Sequence, residues 1–186
     1  MSQSRRKFLT FTTGALAGAG ALLASLPFIK SLNPAAHKEL QSWDINFEDL
    51  KPGEMKVEII ETLPYFITRR TPEQIAALTQ LNIKLVDPDS KDSEQPNFAK
   101  NNFRSLRPDV FVVQGICTHL GCQPVLINEE RADFLNKKAN GGYYCPCHAA
   151  VFDSAGRVFE NGPAPKNMKV PVYEFIDEHT IRIYRI

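Results

Sequence analysis

The chemistry-bearing residues of this 186-residue chain are crowded into one stretch. All four cysteines, Cys117, Cys122, Cys145 and Cys147, lie there, with two of the four histidines, His119 and His148. They form two boxes, Cys117-Thr118-His119-Leu120-Gly121-Cys122 and Cys145-Pro146-Cys147-His148. Each box offers one Cys–His pair and one cysteine over. That arithmetic suggests a centre with two thiolate and two imidazole ligands, and a disulfide between the spare thiols. An iron–sulfur cluster with two imidazoles on one iron and two thiolates on the other uses this donor set. A structural zinc ion accepts it too, as the core of a zinc-stabilised interaction module. A zinc ribbon, however, draws on Cys-x-x-Cys pairs, which would recruit Cys147 and leave Cys122 stranded.

Both boxes resemble those of the Rieske proteins of quinol–cytochrome c reductase, the respiratory cytochrome bc complex. The resemblance implies one 2Fe–2S cluster with Cys117 and Cys145 on the buried iron and His119 and His148 on the exposed one. It implies a disulfide between Cys122 and Cys147 that ties the two loops together. Gly162-Pro163-Ala164-Pro165 would be the proline loop that covers the cluster's third side. By the same resemblance His148 is the histidine presented to quinol and Leu120 is part of the docking tip, while Gly121 belongs to the cluster environment. Neutral imidazoles carry less negative charge than thiolates, so Rieske potentials span about −150 to +300 mV, far above all-cysteine ferredoxins. Each imidazole also has a second nitrogen that can take a proton from a hydroquinone as the iron takes its electron.

Three departures from the family pattern stand out. Twenty-five residues separate His119 from Cys145, more than the usual spacing, so Asn128–Asn140 reads as an inserted surface excursion. The Gly-Ser that follows Cys-Pro-Cys-His in many members is Ala149-Ala150 here, and a common tyrosine is Phe152. In high-potential members the serine and tyrosine hydroxyls donate to cluster and ligand sulfurs, which stabilises the reduced state. Ala150 and Phe152 can donate neither bond, so a potential in the lower part of the range is expected.

The elements that must position the boxes begin with an N-terminal segment. Ser4-Arg5-Arg6-Lys7-Phe8-Leu9 resembles a twin-arginine export signal. The 22 residues Phe8–Ile29 carry no charge, enough to span about 30 Å of hydrocarbon as a helix. Residues 1–30 therefore read as an uncleaved signal anchor, with a cleaved signal peptide as the alternative. The positive end stays cytoplasmic and the body emerges on the opposite, periplasmic side of the bacterial inner membrane. That compartment permits a disulfide. Twin-arginine export carries folded, cofactor-loaded proteins, which suits a cluster assembled in the cytoplasm.

Residues 31–42 are small and polar, a flexible neck in the resembling family, with His37 a solvated linker residue. Removing the four basic residues of the anchor leaves 18 basic against 21 acidic side chains, which argues against a nucleic-acid partner. Thirteen prolines, ten glycines and short β-branched runs point to strands joined by turns. Lys56–Ile60 and Tyr65–Thr68 read as strands separated by Leu63-Pro64. Thr71-Pro72-Glu73-Gln74 reads as a capped helix start, with Ile75, Leu78 and Leu81 as the buried stripe. Residues 86–109 read as a polar surface loop whose charges form a solvated face. Val110–Ile116 is an apolar strand leading into the first box. Val151–Phe159 reads as a hairpin turning at Ala155-Gly156. Val170–Phe175 and Thr180–Tyr184 close the chain as strands joined through Asp177-Glu178-His179, with His179 a turn residue.

The expected fold is mainly β: a Rieske-type antiparallel β-sandwich domain over residues 43–186, with an inserted cluster-binding subdomain at about 115–161, preceded by one transmembrane helix. The resemblance implies the 2Fe–2S subunit of a quinol–cytochrome c reductase in a homodimeric complex. It would take an electron from quinol at the cytochrome b subunit, with proton release, and pass it to a c-type cytochrome subunit. A periplasmic molybdenum oxidase small subunit, as in arsenite oxidase, is the alternative within electron transfer.

Overall fold

The computed structural model describes residues 2–32, 41–79, 84–134 and 140–185. The chain divides into two compact units, Met1–Glu39 and Leu40–Ile186. In the first, α1 runs over Gln3–Leu32. An 18-residue window within Gln3–Ser31 has a mean hydropathy of 1.5, and the helix is long and apolar enough to cross a membrane. The threonines that dilute the apolar run are accommodated locally. Thr10, Thr12 and Thr13 donate to the carbonyls of Arg6, Phe8 and Leu9 at 2.8, 2.7 and 2.7 Å, so these hydroxyl hydrogens need no water. Pro27 does not end the helix, which continues to Leu32. Of the expected neck, residues 33–40, His37 among them, lie outside the described residues.

In the second unit the strands are β1 Ser42–Asn46, β2 Met55–Ile60, β3 Leu63–Arg69, β4 Val110–Gln114, β5 Val125–Ile127, β6 Gly142–Cys145, β7 Ala150–Asp153, β8 Tyr173–Phe175 and β9 Thr180–Tyr184. Two short helices, α2 Pro72–Leu78 and α3 Glu129–Phe134, accompany them. The described strands pair into three antiparallel sheets of order β1-β9-β8, β2-β3-β4 and β5-β6-β7. The third sheet falls between β4 and β8 in sequence, which makes it the inserted subdomain of the mainly β fold. One core joins all three sheets: Phe66, Ile67 and Val110–Val113 meet Tyr143 and Phe152, and Ile181 and Ile183. Burial on both faces explains why β4 reads Val-Phe-Val-Val without polar alternation.

Three local expectations change. Leu63-Pro64 does not separate two strands; it opens β3, and the turn lies at Glu61, whose φ is 57°. Pro64 precedes the segment of β3 paired with β4, so its missing N–H removes no bond from that ladder. Thr71 caps α2 in a full capping box with Gln74, but the buried positions are Gln74 and Leu78, with Ile75 half-buried and Leu81 outside the described residues. The charges of residues 86–109 are not all solvated, since Asp87 and Arg104 are buried. Arg104 donates to Gln95 Oε1, and to the carbonyls of Ala155 and Met168 at 3.0 and 2.8 Å. A buried guanidinium is tolerated when its N–H groups are satisfied in this way. The excursion at 128–140 is partly helical, as α3; residues 135–139 lie outside the described residues.

Candidate metal centre

Each box is a tight loop held by its own backbone. In the first, Cys117 N–H donates to Cys122 C=O at 2.8 Å and Gly121 N–H to Cys117 C=O at 3.0 Å. Gly121 takes φ +84°, a conformation that favours glycine. The second box is the turn between β6 and β7, closed by Ala149 N–H to Cys145 C=O at 3.0 Å. The two loops are joined by a disulfide between Cys122 and Cys147, with Cα atoms 6.6 Å apart.

Cys117 and Cys145 remain as free thiols, both buried. Burial pushes the Cys117 thiol up; the backbone N–H of His119 opposes this, and the neighbouring Cys145 thiol adds to it. His119 and His148 sit edge to face, with ring centroids 4.7 Å apart. His119 is half-buried, and its Nδ1 is a buried nitrogen without a hydrogen-bond partner among the described residues. Such an orphan costs about 1–3 kcal/mol unless something takes its lone pair. His148 is exposed, as is Leu120 at 71 %. Two buried thiols, two adjacent imidazoles and an unsatisfied ring nitrogen fit the two-sulfur, two-nitrogen donor set of a Rieske cluster. The Sγ atoms of Cys122, Cys145 and Cys147 also lie within 4.8 Å of one another, but the disulfide consumes two of them. Cys145 alone of these three can ligate.

The register of β6 and β7 sets what surrounds the thiols. Cys145 pairs with Ala150 and Tyr143 with Phe152, so these four side chains share the core face of the sheet. Tyr143 exchanges a hydrogen bond with Thr68 at 2.7 Å, and burial holds its phenol up at about 12. The loop Gly162-Pro163-Ala164-Pro165 is tethered at its far end. Thr118 of the first box donates to Lys166 C=O at 2.5 Å. The next residue, Asn167, is 1 % exposed. Its side chain accepts from Val158 N–H at 2.9 Å and donates to Asp87 C=O at 2.7 Å and Ser90 Oγ at 2.8 Å. Ala164 is buried, whereas Gly162, Pro163 and Pro165 are exposed.

A cleft elsewhere holds about 640 Å³ between Gly53, Gln74, Ile127, Arg131 and Asn140, and contains none of the six box residues. Sequence reasoning missed Thr118 and Asn167 as residues that position the loops. Thr118 was marked by its place inside the first box, whereas Asn167 carried no local signal.

Comparison with known proteins agrees with this geometry. Residues 96–174 match the model of the Rieske [2Fe-2S] domain, and residues 1–35 match one described as "Ubiquitinol-cytochrome C reductase Fe-S subunit TAT signal". A ubiquinol-cytochrome c reductase iron-sulfur subunit of Allochromatium vinosum is 38 % identical over 98 % of this chain and 89 % of its own length. Those of Rickettsia felis and Rhodospirillum rubrum are each 36 % identical over 97 % of this chain, covering 93 % and 91 % of theirs. A solved structure titled "Hyperthermophilic respiratory Complex III" aligns at 20 % identity and a TM-score of 0.45, covering 94 % of this chain and 98 % of its own, a likeness that adds nothing to the sequence match. The relatives favour the reductase reading over the molybdenum oxidase and the zinc module. The centre is that of one Rieske-type 2Fe–2S cluster. The chain belongs to the family of the iron–sulfur subunits of ubiquinol–cytochrome c reductase.

Proposed function

We propose that the chain takes one electron from a quinol at the cytochrome b subunit and passes it to a c-type cytochrome subunit, within a homodimeric, membrane-anchored quinol–cytochrome c reductase. The observation that carries this is the pairing of two buried free thiols with two imidazoles at one disulfide-tied tip. Cys117 and Cys145 hold the buried iron, and His119 and His148 the outer one. When bound, the cluster supplies a one-electron acceptor in a range of about −150 to +300 mV.

The residues of the tip divide the remaining work. His148 is exposed, so its outer ring nitrogen can accept the hydroquinone proton as the electron leaves. The exposed Leu120 gives the tip an apolar contact for docking. The disulfide between Cys122 and Cys147 keeps both histidine loops in register, and Gly162–Pro165 covers the third side, tethered through Thr118 and Asn167. Residues 1–30 serve as the anchor, 31–42 as the neck and 43–186 as the Rieske domain, its cluster-binding subdomain spanning about 115–161. Arg5 and Arg6 stay cytoplasmic and the domain works on the periplasmic side.

The test is reduction of the cluster by a quinol in membranes containing the complex, followed by electron paramagnetic resonance. Quinol should produce the signal of a reduced Rieske cluster, and a c-type cytochrome should reoxidise it. His148→Ala should abolish reduction by quinol. A cluster that forms but neither accepts electrons from quinol nor yields them to the cytochrome contradicts the reading.

A further inference from the structure

Arg70 and Arg104 are 2 % and 1 % exposed and are the bulkiest fully buried side chains among the described residues. Both spend their N–H groups on the turn that follows β7 and on the loops beside it. Arg70 Nε donates to Ser154 C=O at 2.9 Å, and its Nη atoms donate to the carbonyls of Pro108 and Phe103 at 2.8 and 2.7 Å. Arg104 Nη1 donates to Ala155 C=O at 3.0 Å and Gly156 C=O at 3.4 Å. Two guanidiniums thus grip three successive carbonyls of one turn. Within the same turn Asp153 and Arg157 form a buried ion pair at 2.7 Å.

The charges of this array do not cancel. Arg70, Arg104 and Arg157 face Asp153 and Asp87, which leaves one positive charge in excess among these five groups. Burial lowers both Arg70 and Arg104 to about 10, so they stay charged at neutral pH. Asp87 stays ionised: burial raises its carboxyl, but bonds from Ser93, Lys91 N–H and Asp92 N–H, with Arg104 nearby, outweigh that and hold it below the usual carboxylate range.

The array also lies close to the thiols through a dry medium. Asp153 pairs with Gly142 at the far end of the β6–β7 ladder whose near end is Cys145 with Ala150. Three rungs separate them, about 10 Å at the usual rise per residue. The core-facing side chains between, Tyr143 and Phe152, are completely buried. Adding an electron to the cluster adds one negative charge, which a buried positive excess stabilises. At an effective dielectric constant near 20, a unit charge about 12 Å away changes the reduced-to-oxidised ratio by about tenfold.

We propose that the uncompensated positive charge of the Arg70–Arg104 array, at the Gly142–Asp153 end of the β6–β7 ladder, raises the reduction potential of the cluster. It offsets part of what the missing hydroxyls at Ala150 and Phe152 withhold. Arg70 and Arg104 touch neither the cluster nor quinol; they act through the field. The proposal rests on the reading that Cys117, Cys145, His119 and His148 hold the cluster.

The experiment is a potentiometric titration of the cluster's resonance signal in the membrane-bound complex, for Arg70→Met, Arg70→Lys and Asp87→Asn beside the unaltered chain. At fixed ambient potential, Arg70→Met should lower the reduced-to-oxidised ratio about tenfold, Arg70→Lys should leave it near the starting value, and Asp87→Asn should raise it. Opposite signs for removal of a cation and removal of an anion are what a merely structural role does not produce. Shifts of the same sign, or intact clusters with unmoved potentials, overturn the proposal, as does a fall for the lysine variant equal to that for methionine. If Arg70→Met fails to accumulate, Asp87→Asn decides: a rise supports the proposal, and no change or a fall overturns it. Absence of any cluster signal in the unaltered chain would overturn the cluster reading itself, a different result from a signal that does not shift.

Discussion

Cys145 and Ala150 face one another across the β6–β7 ladder, both fully buried and on the same side of the sheet. The residue opposite the proposed ligand sulfur of Cys145 is therefore an alanine, and the next core-facing residue along β7, Phe152, is a ring without a hydroxyl. A hydroxyl at either place would donate toward sulfur and stabilise the reduced state. Ala150→Ser and Phe152→Tyr should each raise the reduction potential, by redox titration of the purified complex. An unchanged potential in both variants would mean that backbone donors already fill those roles.

Asn167 ties the loop after Pro165 to two other segments, at Val158 and at the Asp87–Ser90 turn, through its side chain. Asn167→Ala leaves Val158 N–H unpaired in a buried place and removes the side-chain bonds to Asp87 C=O, which still accepts from Ser90 N–H, and to Ser90 Oγ, a loss on the order of 2 kcal/mol. Denaturant unfolding should show that loss, and the cluster's visible absorption should bleach earlier. Thr118→Val, which removes one bond at a half-buried site, should cost less, about 1 kcal/mol.

Ala149 has φ 59°, a left-handed conformation, directly after His148. An alanine there carries about 1–2 kcal/mol of strain, of which glycine's extra freedom in the unfolded chain would cancel roughly half. Ala149→Gly should therefore be neutral or stabilising by up to about 1 kcal/mol in thermal or denaturant unfolding. A clear destabilisation would mean that the methyl group itself packs against something that matters.

Stability should fall in acid, with a definite sign. Asp87 and Asp109 both have carboxyls held below the ordinary range: burial raises each, but hydrogen bonds from Ser93 and backbone N–H groups for Asp87, and from Arg107 for Asp109, outweigh it. A depressed folded pKa contributes stability that is complete above the unfolded value, about 3.9 for aspartate, and lost as pH falls through the folded value. Melting temperatures of the domain should change little from pH 7 to 5 and drop below about pH 4. Asp109→Asn should flatten part of that acid limb.

What could be read from the sequence was local. The two boxes, the Thr71–Gln74 capping box, the hairpin around Ala155-Gly156 and the disulfide partners each depend on residues within a few positions or on a motif with its own chemistry. What could not be read was decided at long range. β1 forms because Ser42–Asn46 finds β9 some 138 residues later, as Asp44 does in its ion pair with Arg182. Arg70 and Arg104 look like surface residues in one dimension and become core only when folding brings carbonyls of residues 103–108, 154–156 and 168 around them. Pro64 looks like a strand breaker until the register shows that it sits before the β4 ladder begins.

The central claim is that Cys117, Cys145, His119 and His148 hold a redox-active 2Fe–2S cluster that exchanges electrons with quinol. It is tested most directly by a redox-poised electron paramagnetic resonance titration of intact membranes, with and without a quinone-site inhibitor. The expected result is a Rieske-type signal, a midpoint in the lower part of the range of about −150 to +300 mV, and a spectrum that responds to the inhibitor. A resonance-silent centre containing zinc, or a cluster signal indifferent to the inhibitor, would contradict it.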